Sequence, residues 1–124
     1  MVLNARIEGD VVVLSNFGGL LNDPRHFEAG RDVRGLLDQG YRKFILEMAN
    51  IRDLGDTALG LLMTLTRQIR QAKGGEIVLA RPGKGVLAFL AEMQMEEYWT
   101  IFGTVEEAMK MFRRNPTAEE QQRP

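Results

Sequence analysis

The side chains best suited to chemistry lie in residues 50–60, which read Asn-Ile-Arg-Asp-Leu-Gly-Asp-Thr-Ala-Leu-Gly. This segment follows a predicted buried strand and enters a predicted helix, and the free backbone amides at the start of a helix favour an anion. Asp56 can accept hydrogen bonds from those amides as an N-cap residue, which is an ordinary structural role for Asp or Thr. Gly60 costs about 1 kcal/mol relative to alanine inside a helix, so it indicates close packing of another backbone or of a partner.

The rest of the chain offers little for catalysis. It contains no Cys and one His, and His26 reads as a solvated helix residue rather than as a catalytic base or a zinc ligand. Residues 81–85, Arg-Pro-Gly-Lys-Gly, lack the spacing of a phosphate-binding P-loop and fit a strand-to-helix turn. A phosphorelay receiver needs an acidic pair after its first strand to hold magnesium, and residues 15–19 supply none, while Asp53 and Asp56 cannot build that site alone. We therefore expect no enzyme, no metal site and no cofactor.

Composition points to one globular domain rather than a disordered or fibrous chain, because 44% of the 124 residues are hydrophobic and 27% are charged. The 16 basic residues nearly balance the 17 acidic ones, and this net charge of −1 argues against a nucleic-acid partner. The first ten residues carry charges and lack the apolar core of a targeting signal. The apolar run at residues 11–14 is too short to span a bilayer. We expect a cytoplasmic protein without membrane insertion.

Short apolar runs alternate with amphipathic stretches, and together they predict the elements that position residues 50–60. Two β-branched runs, 3–7 and 11–14, flank a glycine turn and together predict a β-hairpin. Residues 16–19 are predicted to break regular structure. The next predicted element is a helix that is capped by Asn22 or Asp23, has Pro24 at its first position and ends near Gly40. It is followed by a strand at 44–48, a helix at 57–73 that Gly74 and Gly75 end, and a strand at 76–80. The last predicted elements are a helix at 86–93, a strand at 99–102 and a helix that begins at the capping box of Thr104 and Glu107.

This order, β-β-α-β-α-β-α-β-α, predicts an α/β fold: a mixed, mostly parallel sheet opened by a β-hairpin, with about four helices packed on it. Residues 1–112 form the predicted single domain, and the polar residues 113–124 form a predicted flexible tail. On the helix at 57–73, we expect Arg67, Gln68 and Arg70 on the solvent-facing side, hydrated or setting charge complementarity to a partner. The Met and aromatic side chains of residues 93–99 suit either the core or a partner surface.

The chain resembles a STAS domain, the fold of bacterial anti-sigma factor antagonists, over about residues 3–112. The family's signature after its third strand is Asp, Ser, Ser or Thr, Gly, Leu, Gly and then an apolar helix. The aligned residues here are Gly55, Asp56, Thr57, Ala58, Leu59 and Gly60. Further landmarks are Gly74 and Gly75 before the strand at 77–79, Pro82 after it, a closing strand that reaches Ile101 and Phe102, a final helix start at 104–108, and a turn at 19–22 in which Asn22 replaces the family's aspartate.

The resemblance implies a non-catalytic regulator of transcription that docks on another protein. In the antagonists, an unphosphorylated serine at this helix start allows binding to an anti-sigma factor, a protein kinase of the histidine-kinase-like ATPase class, and phosphorylation of the serine breaks the complex. Asp56 occupies the serine position here. Its carboxylate has one negative charge against about two for a phosphate, so it either imitates the phosphorylated state imperfectly or only caps the helix. Thr57 is the alternative phosphorylation site, or a second residue that satisfies the helix-start amides.

The resemblance also implies which residues contact the partner: Asn22, Asp53, Gly55, Asp56, Thr57, Ala58 and Gly60. A second interpretation is an accessory subunit that docks on a membrane lipid-transport ATPase without phosphorylation, or a component of a multi-protein stress-sensing complex. The missing serine suits this interpretation. An enzyme is the third interpretation, and the sequence offers no plausible catalytic constellation in its favour.

Overall fold

The computed structural model describes residues 3–21, 24–52 and 54–114, with only the backbone of Leu21. Five strands form one sheet in the order β1-β2-β3-β4-β5. The strands are β1 (Asn4–Glu8), β2 (Val11–Ser15), β3 (Lys43–Glu47), β4 (Glu76–Ala80) and β5 (Ile101–Phe102). β1 runs antiparallel to β2, and every other neighbouring pair is parallel. The predicted mixed sheet opened by a hairpin is confirmed.

The helices of the described residues are α1 (Phe17–Leu21), α2 (Ala29–Asp38), α3 (Asp56–Gln71), α4 (Lys84–Glu92) and α5 (Val105–Arg114), and a 3₁₀ turn at His26–Glu28 precedes α2. None of the helices in this part of the chain is long and apolar enough to cross a membrane. α5 continues to Arg114, past the predicted start of the tail, and residues 115–124 lie outside the described ranges. The predicted caps Asn22 and Asp23 also lie outside them.

α1 corrects one prediction, because residues 16–19 were expected to break regular structure. Asn16 adopts a left-handed conformation with φ 65°, and its carbonyl oxygen accepts a hydrogen bond from the Leu20 N–H at 2.9 Å. Phe17 and Leu20 are buried in the core. Burial of these two large side chains stabilises a short helix that two consecutive glycines disfavour on local propensity alone.

The sheet buries apolar side chains on both faces, because neighbouring residues of a strand point in opposite directions. One face contributes six side chains to the larger core cluster shared with α2, α3 and α4: Val12, Leu14, Phe44, Leu46, Ile77 and Leu79. The other face packs on α5 through Val11, Val13, Ile45, Val78 and Ala80. Near-continuous burial of β2, β3 and β4 is typical of strands inside a parallel sheet. The carboxyl ends of these three strands therefore share one edge of the molecule.

The last strand is shorter than predicted, because residues 99 and 100 precede β5 instead of belonging to it. Trp99 is buried, and its Nε1–H donates to Thr66 Oγ1 at 2.8 Å. Thr66 Oγ1 in turn donates to the Leu62 carbonyl oxygen at 2.7 Å. Trp99 therefore belongs to the core, and Met95 and Tyr98 pack half-buried against it, whereas the side chain of Met93 is exposed.

Candidate functional site

The segment that stands out in the sequence forms the connection between β3 and α3, at the carboxyl edge of the sheet. The side chains of Ile51 and Leu54 are buried in the larger core cluster. The Met48 N–H donates to the Ala80 carbonyl oxygen at 2.9 Å, which ties the start of the loop to the end of β4. Arg52 stays exposed between the two apolar anchors. The loop is thus held in place at the edge where open α/β sheets commonly bind ligands.

A glycine of α1 lies directly against this loop. A Cβ atom on Gly18 would lie 2.8 Å from the Asn50 carbonyl oxygen, closer than real side chains approach. Glycine at this position therefore allows α1 to pack directly against the β3–α3 loop. This contact was not predicted, and the Gly18-Gly19 pair, interpreted only as a break, was the available signal.

Asp56 is not the N-cap of α3, contrary to the prediction. Gly55 holds that position in an extended conformation, φ −92° and ψ −176°, and it has no side chain with which to make a cap hydrogen bond. The Leu59 N–H donates to the Gly55 carbonyl oxygen at 2.9 Å, which makes Asp56 the first helical residue. Its exposed carboxylate makes no hydrogen bond within the described residues, and it acts on the helix start only through the dipole.

Thr57 and Gly60 are exposed beside Asp56. The Thr57 hydroxyl makes no hydrogen bond within the described part of the chain, so the predicted capping role is wrong for Thr57 too. Among the described residues, no atom beyond the chain neighbours of Gly60 and the backbone of α3 lies within 4 Å of the position that a Cβ would occupy there. The expected close approach of another backbone of this chain to Gly60 is therefore wrong, and close packing by a partner stays a prediction.

The predicted site residues divide by burial. Gly55, Asp56, Thr57 and Gly60 share an exposed strip at the start of α3. The side chain of Ala58 is buried beneath that strip. Asn22 and Asp53 lie outside the described residues.

Two side chains of α3 that were expected in solvent are instead bound within the chain. The Gln68 Nε2–H donates to the Gly30 carbonyl oxygen at 2.8 Å and joins α3 to α2. Arg70 donates to Glu76 Oε1 at 2.7 Å and to the Tyr98 carbonyl oxygen at 2.8 Å, and its guanidinium lies 4.9 Å from the centre of the Tyr98 ring. Arg67 remains exposed as predicted.

A second concave region lies on the α5 side of the same sheet edge. This cleft of about 310 Å³ is lined by two arginines, Arg6 and Arg81, and two glutamates, Glu47 and Glu106. The Arg81 and Glu47 side chains lie 3.7 Å apart, and Glu47 also accepts the Ala49 N–H at 2.9 Å. The opposite charges of the lining balance, so they favour neither an anion nor a cation.

His26 lies in the 3₁₀ turn, with its ring edge-on to Phe27 at 6.5 Å between centroids. Among residues 3–21, 24–52 and 54–114, no group of three or more His, Cys, Asp or Glu side chains is arranged to hold a metal ion.

Comparison with known proteins agrees with this architecture. A family model described as the STAS domain matches residues 5–108. A relative from Thermotoga maritima, provisionally named an anti-sigma factor antagonist, is 26% identical over 109 residues, which cover 88% of this chain and 96% of the relative.

Solved structures show the same fold. The crystal structure of a provisionally named anti-sigma factor antagonist from Thermotoga maritima matches with a TM-score of 0.72 at 24% identity, over 90% of this chain and 95% of that one. The anti-sigma factor antagonist SpoIIAA in its unphosphorylated form matches with a TM-score of 0.69 at 16% identity, over 91% of this chain and 97% of that one. The α/β fold expected from the sequence is confirmed by these matches.

Proposed function

Because the chain belongs to the STAS domain family, we propose that it is a non-catalytic regulator that resembles an anti-sigma factor antagonist. It docks on an anti-sigma factor kinase of the histidine-kinase-like ATPase class through the start of α3. The observation that carries this proposal is the exposed carboxylate of Asp56, which makes no hydrogen bond within the described residues. The names of the relatives support an anti-sigma factor as the partner, and the kinase class is part of the proposal.

We propose that Asp56 acts on the partner rather than on the fold. A capping aspartate would accept a backbone amide hydrogen, and Gly55 holds the cap position instead. The Asp56 carboxylate is therefore available to contact a partner that binds at the start of α3. It has one charge and two oxygens, against about two charges and three free oxygens for a phosphate. Asp56 therefore weakens docking permanently but incompletely, as a constant substitute for a phosphorylated serine.

The docking surface of this proposal is the exposed strip formed by Gly55, Asp56, Thr57 and Gly60. Gly60 suits close approach, because among the described residues no atom beyond its chain neighbours and the backbone of its own helix would lie within 4 Å of a Cβ there. Asn22 and Asp53 belong to the proposed surface on the family resemblance alone. Thr57 is the remaining hydroxyl that a partner kinase can phosphorylate, and it is exposed.

The second candidate is an accessory subunit that docks on a transport ATPase without phosphorylation. The replacement of the phosphorylatable serine by Asp56 favours it, because an accessory subunit needs no phosphorylation switch at that position. In this case Asp56 would not modulate affinity, and the same exposed strip would serve as a constant interface.

An affinity pull-down from the source cell's lysate, with mass spectrometry of the eluted proteins, tests the proposal. The baits are the wild type, Asp56→Ser and, as a matched control, Glu106→Ser, which removes an exposed acid from the first turn of α5. We expect a histidine-kinase-like ATPase on all three baits, enriched on Asp56→Ser over the other two. Enrichment of a transport ATPase without such a kinase supports the second candidate. Capture of neither class on any bait contradicts both.

A further inference from the structure

Three arginines on the outer surface of α2 and α3 lack a counterion. Arg31 and Arg34 of α2 and Arg67 of α3 are exposed, and within the described residues their guanidinium groups make neither an ion pair nor a hydrogen bond. Four other arginines each meet a carboxylate or a carbonyl oxygen: Arg6, Arg42, Arg70 and Arg81. Arg31, Arg34 and Arg67, which lie on two neighbouring helices, are named here the arginine surface.

The residues of the arginine surface lie on α2 and α3, two helices that a side-chain hydrogen bond joins. The hydrogen bond from Gln68 to the Gly30 carbonyl oxygen, 2.8 Å long, brings α3 against the first turn of α2. Arg34 follows Gly30 by four residues and therefore lies one turn further on the same side of α2. Arg67 directly precedes Gln68. Exposed positive charges thus lie on both of the helices that this hydrogen bond joins.

Local electrostatics within α2 does not favour Arg31. Arg31 lies in the first turn of α2, where the helix dipole disfavours a cation. Arg31 and Arg34 are three residues apart, a spacing at which like charges repel. By contrast, Arg113 and Arg114 lie in the last turn of α5, where the dipole favours them. These two effects disfavour Arg31 in particular, and an anionic partner would offset them, whereas Arg34 also has the opposite charge of Asp38 four residues further on.

We propose that the arginine surface binds an acidic segment of a partner protein. The inference rests on the proposed function only in that the partner is the one that docks at the start of α3. Gly60, Thr64 and Arg67 follow Asp56 along the exposed side of α3, so the arginine surface continues the proposed docking strip. A segment along α3 meets a negative charge at Asp56 and positive charge further on. This charge pattern sets where the acidic residues of the segment lie, because they avoid Asp56 and pair with Arg67.

A protein fits this surface better than a nucleic acid does. A strongly salt-dependent DNA binder makes about 6–10 phosphate contacts, whereas this surface offers three cations flanked by Asp38 and Asp56. The chain's net charge of −1 also opposes a polyanion at long range. A guanidinium pairs with a carboxylate through two parallel hydrogen bonds, and arginine is enriched at protein interfaces.

The test is a titration of the ¹⁵N-labelled full chain, followed by NMR, with a synthetic 18-residue amphipathic helical peptide that carries Glu along one face. We expect amide shifts confined to residues 29–35 and 60–71, and affinity that falls several-fold between low and physiological salt. Arg34→Gln/Arg67→Gln should weaken binding at least about fivefold. The matched control Lys110→Gln/Arg113→Gln, which removes two exposed cations from α5, should bind like the wild type.

Absence of shifts, shifts centred on α5, or equal loss in both double variants would overturn the inference. Tighter binding of a single-stranded oligonucleotide than of the peptide, at the same residues, would overturn it in favour of a nucleic-acid ligand. The same peptide with Gln in place of Glu should produce no shifts. The two experiments test the two proposals separately. If the lysate capture yields no ATPase, the peptide titration can still show shifts at the arginine surface. If the titration shows no shifts, the capture can still yield the ATPase.

Discussion

Asp56 occupies the first helical position of α3, and Gly55 takes the cap position before it. A difference of one residue changes what the carboxylate does. An N-cap aspartate is bound to backbone amides, whereas a first-turn aspartate stays free to meet a partner while it still interacts favourably with the helix dipole. If Asp56 stands where the family has its serine, as proposed, the replacement changes the surface charge more than the stability of the helix.

Substitution of two glycines near the site by alanine should change the free energy of unfolding in opposite directions. Gly18→Ala places a Cβ 2.8 Å from the Asn50 carbonyl oxygen, and we expect a loss of about 1–3 kcal/mol in the free energy of unfolding because backbone must move. Gly60→Ala meets open space inside α3, and we expect a gain of about 0.5–1 kcal/mol from helix propensity. Urea denaturation of both variants measures this. A stable Gly18→Ala protein would refute the proposed support of the loop by α1.

At the scale of elements, α3, α4 and α5 were predicted to within a few residues because their apolar residues recur at helical spacing. α1 was not, because its stability comes from burial of Phe17 and Leu20 against parts of the chain that are distant in sequence. The same reason applies to Gln68 and Arg70, whose partners at Gly30 and Tyr98 are 38 and 28 residues away. Local pattern shows which side of a helix is polar, but not which polar side chains find partners.

The starts of α5 and α3 allow a direct comparison of an N-cap hydrogen bond with an acidic side chain in the first turn. Thr104 Oγ1 accepts the Glu107 N–H at 3.1 Å, which confirms the predicted capping role of Thr104. We expect Thr104→Ala to lower the free energy of unfolding by about 1 kcal/mol. Asp56→Ala removes only a dipole interaction, and we expect a loss of about 0.5 kcal/mol or less. Thermal and urea unfolding of both variants measure the difference. An equal or larger loss for Asp56→Ala would show that Asp56 stabilises the helix start after all.

At the scale of the whole molecule, the two faces of the sheet are covered unequally. α2, α3 and α4 cover one face, whereas in the described structure α5 alone packs on the other. The helices that carry the proposed docking strip and the arginine surface therefore belong to the larger core. The integrity of the opposite face depends on three buried side chains of α5: Ala108, Met109 and Phe112.

Truncation of Phe112 should destabilise the whole domain. Phe112 is 4% exposed between α5 and the sheet, and we expect Phe112→Ala to cost about 3–5 kcal/mol. The matched control is Phe27→Ala, because Phe27 is 70% exposed and should change the free energy of unfolding by less than about 0.5 kcal/mol. Denaturation monitored by the fluorescence of Trp99 and by circular dichroism follows both variants. A similar loss in both would mean that α5 does not close the second face as described.

The measurement that tests the central claim most directly is a calorimetric titration of the captured histidine-kinase-like ATPase with the wild type, Asp56→Ser and Glu106→Ser. If Asp56 is a permanent, incomplete substitute for a phosphorylated serine, Asp56→Ser binds at least about tenfold more tightly than the wild type, a difference of about 1.4 kcal/mol. Glu106→Ser should bind like the wild type, and all three should unfold at nearly the same temperature. Equal affinity of Asp56→Ser and the wild type, or weaker binding of Asp56→Ser, would contradict the account.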